Sequence, residues 1–163
     1  MALRTIRIMG DPVLARKCRE VKEMTPRLRQ LIEDMFETMY DANGVGLAAP
    51  QVGILKRIVV IDTTGSDPIA LVNPVITERE GSQTGEEGCL SLPGKSALVT
   101  RPQKVVVEGF DADMQPVRYE AEDLLARAMC HEIDHLDGHM YTELAEGPVH
   151  DVASAEDEDG EEE

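Results

Sequence analysis

The segment from Met129 to Gly138, with the sequence MCHEIDHLDG, constrains the fold of this 163-residue chain more than any other. His131 and His135 are four residues apart, so both imidazoles project from one face if the segment is helical. Glu132 lies about 100° around such a helix from His131, within reach of anything held between the histidines. This arrangement is typical of a divalent metal site in which the glutamate acts as a base. The alternative is a solvated amphipathic helix that carries these residues by chance.

The composition predicts one domain with an aliphatic core. Hydrophobic residues make up 42% of the chain, but there is no Trp and there are only two Phe and three Tyr. The net charge of −16 is concentrated at the end of the chain, where acidic residues follow Ala145 without a single basic one. A nucleic-acid backbone would be repelled by this charge, so no nucleic-acid partner is expected.

The sequence predicts a cytoplasmic protein. The apolar run after Met1 is too short for a secretion signal, and no stretch approaches the roughly 18 apolar residues of a membrane span. The cysteines, Cys18, Cys89 and Cys130, are odd in number. In a reducing compartment an isolated cysteine is more readily a metal ligand or a core residue than half of a disulfide.

Apolar spacing and turn residues predict two helices and several strands. Thr25 can cap a first helix that starts at Pro26, carries apolar side chains three and four residues apart, and stops at residues 43–44. The second helix starts near Asp123 and stops at Gly138. Residues 3–8 are predicted to form a short strand or an extended arm. Strands are expected at residues 57–62, 69–73, 97–100, 104–110 and 117–121.

Residues 44–53 form a glycine-rich segment with one polar side chain, Gln51. It either packs as a tight connection or lets the main chain approach a ligand closely. It is not a phosphate loop, because the Gly-Lys-Ser/Thr ending is absent.

A catalytic metal site of this type usually has three protein ligands and one open position. In the metzincin pattern the third ligand would be a histidine, but that position is Tyr141. A thermolysin-like glutamate would need a downstream helix, and the glutamates there lie in a proline-interrupted segment and an acidic tail. Cys89, upstream, would give a Cys-His-His site suited to Fe²⁺, Zn²⁺, Ni²⁺ or Co²⁺. His139, beyond the helix stop, is a weaker candidate.

Three segments, residues 44–51 (GVGLAAPQ), 87–91 (EGCLS) and 131–135 (HEIDH), resemble the signature motifs of peptide deformylases in their order and spacing. The resemblance implies an α+β fold in which mostly antiparallel sheets surround a central metal-binding helix, with a second, N-terminal helix. It implies a catalytic domain over residues 1–145, followed by an acidic tail over residues 146–163 that we expect to be disordered.

The resemblance also implies an activity, the removal of the N-formyl group from formyl-methionine of nascent polypeptides, with the ribosome as the expected setting. Glu132 would take a proton from a metal-bound water that attacks the formyl carbon, and formate would be released. The side chain of Gln51 and the Leu90 N–H would hold the oxyanion together with the metal. Fe²⁺ is the implied native metal, with Zn²⁺, Ni²⁺ or Co²⁺ possible after purification. The implied metal ligands are Cys89, His131 and His135, and the main chain near Val45, Gly46 and Gly88 would pair with extended substrate.

Helical spacing predicts a pocket for the methionine side chain. Leu124, Arg127 and Ala128 precede His131 by seven, four and three residues, so they share its face of the helix. Leu124 and Ala128, together with Val45, are expected to form an apolar slot. The stem of Arg127 is expected to line this slot while its charged head stays in solvent.

Residues beside the ligands are expected to be structural. Cys130 points about 100° away from His131 and is predicted to be a buried thiol. Asp134 is expected to orient neighbouring groups, with Arg101 as its partner. The opposite face of the helix, Met129, Ile133 and Leu136, is predicted to be core.

Two other functions are compatible with a histidine pair on a helix. A small zincin-type peptidase would need a third histidine or glutamate ligand that the sequence does not offer. A structural or storage metal module would not need Glu132 or Gln51.

Overall fold

The computed structural model describes residues 2–152, which form two helices and eight strands. The helices are α1 (Pro26–Asp41) and α2 (Asp123–Leu136). The strands are β1 (Gly46–Ala48), β2 (Ile58–Ile61), β3 (Ile69–Glu80), β4 (Gln83–Cys89), β5 (Leu92–Arg101), β6 (Lys104–Phe110), β7 (Pro116–Glu122) and β8 (His150–Asp151). Short 3-10 turns occur at Pro12–Ala15, Ala49–Val52 and Tyr141–Leu144.

The strands are arranged in two sheets. One has the order β1-β2-β3-β6-β7 and the other the order β4-β5-β8. All pairs of neighbouring strands are antiparallel. The predicted α+β class with mostly antiparallel sheets is therefore confirmed.

Helix α1 begins and ends where the sequence predicts. The Thr25 hydroxyl accepts a hydrogen bond from the Leu28 N–H at 3.2 Å, and Pro26 occupies the first turn, where its missing N–H costs nothing. Asn43 ends the helix in the left-handed conformation with φ 58°. Apolar side chains of α1, such as Met35 and Met39, are fully buried in a cluster with residues from β1 and β2.

Helix α2 lies against the five-stranded sheet and contacts β1, β2 and β7. Met129, Ile133 and Leu136 are buried in one cluster with side chains of β2 and β6, as predicted for this face. Burial of each such side chain contributes about 1.5–3 kcal/mol. The helix stops before Gly138, which has φ +82°. A side chain at Gly138 would place its Cβ 2.6 Å from the Ala15 carbonyl oxygen, so glycine is required there.

Strand β4 has no counterpart in the sequence prediction. Its residues are mainly polar or glycine, so they lack the alternating apolar pattern by which strands are recognised. Strand β5 is also longer than the predicted segment 97–100. Together β4 and β5 form the hairpin that carries Cys89 at the end of its first strand.

The segment 146–152 returns to this hairpin. The Glu146 N–H donates to the Leu98 carbonyl at 2.7 Å, and β8 pairs with β5 through Ser96 and Lys95. These seven residues belong to the acidic segment that we expected to be disordered from residue 146, but His150 and Asp151 form the third strand of this sheet. Residues 153–163, the remainder of that expected tail, lie outside the described residues. Neither of the described helices combines the length and apolarity that crossing a membrane requires.

Candidate metal centre and active site

Three potential metal ligands from two separate elements converge beside α2. Cys89 ends β4, whereas His131 and His135 lie one turn apart on α2. One ligand atom from each residue lies within 4.8 Å of the other two. Cys89 Sγ is 3.3 Å from His135 Nε2. A thiolate and two imidazoles form a donor set that fits a divalent transition metal.

The carboxylate of Glu87 orients the ring of His131. His131 Nδ1 lies 2.6 Å from Glu87 Oε1, and since a carboxylate accepts, the hydrogen is on Nδ1. Nε2 is thereby left free to coordinate a metal, and such pairing of the other ring nitrogen with a carboxylate is typical of histidine metal ligands. Burial tends to raise the pKa of Glu87, but hydrogen bonds from His131 and Arg101 outweigh it and lower the pKa to about 2. Glu87 is therefore ionised at neutral pH.

The two histidines have opposite pKa shifts. Burial lowers the pKa of His135 to about 3, so its imidazole is neutral and ready to bind a metal. Burial also lowers the pKa of His131, but the nearby Glu132, Cys89 and Glu87 raise it well above the ordinary value. A proton and a metal ion therefore compete for His131 Nε2.

Glu132 is buried next to the three ligands. Its Oε2 is 4.0 Å from His131 Nε2, and its Oε1 has no hydrogen-bond partner among the described residues. Burial raises the pKa of this carboxyl to about 7, a value suited to a group that both takes and returns a proton. A Cβ at Gly46 would lie 2.5 Å from Oε2, so only glycine lets β1 approach this closely.

Gln51 is fixed by hydrogen bonds at both ends of its amide. Its Oε1 accepts from the Ala48 N–H at 2.9 Å, which settles the orientation of the amide. Its Nε2 donates to Ser91 Oγ at 3.0 Å and lies 3.5 Å from Cys89 Sγ. The side chain therefore presents an N–H donor next to the sulfur of Cys89.

A cavity of about 470 Å³ opens beside these residues. Its lining includes Gln51, Cys89, Leu90, His131 and Glu132. It also includes all six residues that were expected to bind substrate, namely Val45, Gly46, Gly88, Leu124, Arg127 and Ala128. The lining further includes residues 42–43 and 92–95, which were not predicted to bind substrate.

The charged head of Arg127 is not in solvent, so this part of the prediction is wrong. Only 8% of the residue is exposed. Its Nη1 donates to Glu87 Oε2 at 2.6 Å and to the Val99 carbonyl at 3.2 Å. The carboxylate of Glu87 is a stronger partner for a guanidinium than water, because the pair is buried and charge-assisted.

Other expectations for the neighbouring residues are confirmed. Cys130 is buried in the core, and burial raises the pKa of its thiol to about 11. Asp134 Oδ2 accepts a hydrogen bond from Arg101 Nη1 at 2.6 Å. His139, the weaker ligand candidate, lies at the surface 3.1 Å from Glu143.

Three residues at the site were not predicted from the sequence to belong to it. Glu87 is two residues before Cys89, a spacing that places both side chains on one face of a strand, but β4 was not predicted. Ser91 holds the amide of Gln51. Tyr141, at the metzincin ligand position, stacks its ring on His131 with centroids 5.9 Å apart. No spacing rule indicated the last two contacts.

Comparisons of sequence agree on one family. The family model described as polypeptide deformylase matches residues 3–149. A peptide deformylase of Agathobacter rectalis is 63% identical over 152 residues, which cover 93% of this chain and 96% of that protein. One from Lachnoclostridium phytofermentans is 57% identical and covers 99% of this chain and 100% of that protein.

Solved structures agree with the sequence comparisons. A peptide deformylase from Legionella pneumophila superposes with a TM-score of 0.86 at 42% identity, covering 88% of this chain and 86% of that one. The enzyme from Synechococcus elongatus in complex with actinonin gives 0.84 at 43% identity, covering 87% and 78%. The chain therefore belongs to the peptide deformylase family of hydrolases, which remove the N-terminal formyl group from polypeptides.

Proposed function

We propose that this chain removes the formyl group from N-formyl-methionine of newly synthesised polypeptides with a metal held by Cys89, His131 and His135. One observation carries the proposal: these three ligand atoms lie within 4.8 Å of one another, beside a cavity that Glu132 and Gln51 also line. We place the reaction in the cytoplasm, on chains emerging from the ribosome.

Fe²⁺ is the native metal in this proposal, and Zn²⁺, Ni²⁺ or Co²⁺ can replace it during purification. The mixed thiolate and imidazole donors suit all four ions. When bound, the metal polarises the formyl carbonyl and lowers the pKa of water. Glu87 supports it by holding the proton of His131 on Nδ1, which leaves Nε2 free for coordination.

Glu132 transfers the protons of the reaction. Its carboxylate takes a proton from the water that attacks the formyl carbon. It then returns a proton to the nitrogen as the C–N bond breaks, so that formate and a free amine leave. A pKa near 7 lets one carboxyl perform both steps. The position of Glu132 against the main chain of Gly46 keeps it aimed into the cavity.

Gln51 and Leu90 stabilise the negative charge that develops on the formyl oxygen. Gln51 Nε2 and the Leu90 N–H are the two donors, and each such donor is worth on the order of 3 kcal/mol in comparable sites. The hydrogen bond from the Ala48 N–H to Gln51 Oε1 orients the amide before substrate arrives.

The cavity selects the methionine side chain and the extended chain that follows it. Leu124, Ala128 and Val45 supply apolar surface for the methionine. The main chain near Val45, Gly46 and Gly88 offers hydrogen-bonding groups to substrate in an extended conformation. Arg127 contributes its aliphatic stem and no charge, since its head is bound to Glu87.

The test is an assay of formate release from a formyl-methionyl peptide, combined with metal analysis after anaerobic purification. Glu132→Ala is expected to keep its metal and to lose at least about 100-fold in kcat, because the proton carrier is gone. Cys89→Ala is expected to lose the metal itself. Glu143→Ala, a surface change, is the matched control and should match wild type.

Two outcomes would contradict the proposal. Absence of formate release by the metal-loaded wild type would exclude a deformylase. Metal binding without formate release would then favour a storage module, whereas cleavage of internal peptide bonds would favour the zincin-type peptidase.

A further inference from the structure

We infer that Arg127 is a positioning residue for the metal centre: it joins the hairpin that carries Cys89 to the helix that carries the two histidines. This inference rests on the proposed function, because the relative position of the two elements matters only if one metal ion binds both. It assigns Arg127 a part in metal retention in addition to its place in the cavity lining.

The metal centre is assembled from two elements that belong to different layers. Cys89 lies on the β4-β5 hairpin of the three-stranded sheet, whereas α2 packs on the five-stranded sheet. A small shift of one layer against the other would alter the distance between the sulfur and the imidazoles. Since metal–ligand distances tolerate only about 0.2 Å, the junction between the layers has to be held closely.

Arg127 spans this junction from the helix side. Its guanidinium bonds to Glu87 Oε2 at 2.6 Å, to the Val99 carbonyl at 3.2 Å and to the Gln83 carbonyl at 3.4 Å. Glu87 and Gln83 are on β4 and Val99 is on β5, so one side chain of α2 binds both strands of the hairpin. Such a planar fork fixes geometry better than a single-point contact.

Arg101 spans the same junction in the opposite direction. It lies on β5 and donates to Asp134 on α2 at 2.6 Å, while its other nitrogens bind Glu87 at 2.7 and 3.1 Å. The two arginines therefore meet at one carboxylate. The pair is buried, and burial strengthens these charged hydrogen bonds relative to bonds in water.

The two oxygens of Glu87 are used differently. Oε1 receives His131 and Arg101, whereas Oε2 receives Arg101 and Arg127. Arg127 thus holds the oxygen that does not contact the histidine. Without it, the carboxylate has only Arg101 to resist rotation about its last bond, and the His131 ring loses a fixed partner.

The contacts of Arg127 also argue against a role in binding a charged substrate. The side chain lines the cavity, but its guanidinium forms its hydrogen bonds with the β4-β5 hairpin. Its Nη2 lies 3.5 Å from the position that a Cβ on Gly85 would occupy. The head therefore offers no free charge to a peptide. Its removal should affect the metal and the chemical step more than substrate affinity.

The test compares two variants. Arg127→Met keeps an unbranched apolar side chain but removes the guanidinium. Arg127→Lys keeps the positive charge but lacks the planar guanidinium that can bond to several acceptors at once. Each variant is loaded with Zn²⁺, and the rate of metal release to excess chelator is measured together with kcat and KM. Leu31→Ala is the control for general loss of stability, since Leu31 is buried in the core cluster of α1, outside the cavity lining.

Arg127→Met is expected to release Zn²⁺ at least about tenfold faster than wild type, as is common when a partner of a metal ligand is disturbed. Its kcat should fall while KM stays within about twofold. Arg127→Lys is expected to release the metal at an intermediate rate. If Arg127→Met does not fold, Arg127→Lys is the variant that is compared with wild type. Leu31→Ala should release metal at the wild-type rate.

Wild-type release rates in both Arg127 variants would overturn the inference while leaving the proposed function intact. So would a raised KM with unchanged kcat, because that would make Arg127 a substrate contact. A wild-type chain that retains no metal would instead overturn the proposed function, and this inference with it.

Discussion

Two glutamates beside the same histidine have opposite pKa shifts because their surroundings differ. Glu87 accepts hydrogen bonds from His131 and two arginines, and its pKa is lowered to about 2. Glu132 is buried with one oxygen that has no partner in the described part of the chain, and its pKa is raised to about 7. One carboxylate is therefore a fixed anion, and the other is able to exchange protons near neutral pH.

The lowered pKa of Glu87 predicts a pH-dependent contribution to the stability of the metal-free protein. As pH falls, the unfolded chain takes up the proton first, near the ordinary pKa of 4.5. The stabilisation is thus fully present above that pH and is lost as pH falls toward 2. A shift of this size corresponds to about 3 kcal/mol.

The measurement is urea unfolding of wild type and Glu87→Gln from about pH 6 to about pH 2. The difference in unfolding free energy between the two proteins should shrink by about 3 kcal/mol over this range. Glu143→Gln, a surface control, should show no such trend. A constant difference for Glu87→Gln would mean that the carboxylate is not a buried anion.

At the residue scale, spacing in the sequence predicts site residues that lie on the same element. It does not predict contacts between residues that lie on different elements. The spacing of an α-helix was enough to predict that His131, Glu132 and His135 lie together. Glu87 was overlooked because its partners are 14 to 44 residues away on other elements. The head of Arg127 was placed in solvent for the same reason, since nothing local indicated a carboxylate within its reach.

At the scale of elements, the N-terminal arm connects the two segments that carry Gln51 and Leu90. The Arg7 N–H donates to the Gln51 carbonyl at 2.6 Å, and the Met9 N–H donates to the Ser91 carbonyl at 2.7 Å. The extended form of residues 3–8 was one of the two predicted alternatives. Its two contacts with these segments join main-chain atoms, so no side-chain pattern could have indicated them.

Met9→Pro is predicted to impair catalysis, whereas Met9→Ala is not. Proline removes the N–H that binds the Ser91 carbonyl, which costs about 1–3 kcal/mol when the acceptor is left without a partner. The loosened segment carries Leu90, so kcat should fall. The side chain of Met9 is 46% exposed, so alanine should leave kcat and the unfolding temperature unchanged. Equal kcat values for the two variants would show that the arm does not support the site.

At the scale of the whole molecule, the chain is closed by β8 on the hairpin that borders the cavity. The Val152 N–H donates to the Gly94 carbonyl at 2.9 Å, and Asp151 forms an ion pair with Lys95. Gly94 and Lys95 both line the cavity. The sequence predicted the antiparallel α+β class through its family resemblance. It could not divide the strands between two sheets, because that division depends on pairing between distant segments.

Two truncations separate the contribution of β8 from that of the acidic residues after it. A chain that ends after Val152 should match the full chain in kcat and in unfolding free energy. A chain that ends after Gly147 loses the hydrogen bond to Gly94 and the exposed ion pair, so its unfolding free energy should fall by about 1–2 kcal/mol. Its kcat should stay within about twofold, since no contact of β8 reaches the metal ligands. A large loss of kcat in the shorter chain would place β8 in the catalytic machinery.

The unequal burial of the three thiols offers a way to count bound metal without an assay of turnover. Cys18 and Cys130 are buried, and burial raises the pKa of each to about 11, so both stay protonated and unreactive in the folded protein. Cys89 alone is half-buried and lines the cavity. An alkylating reagent should therefore modify one thiol per metal-free molecule and none per fully loaded one, so that intact-mass spectrometry reports the occupancy of a sample directly.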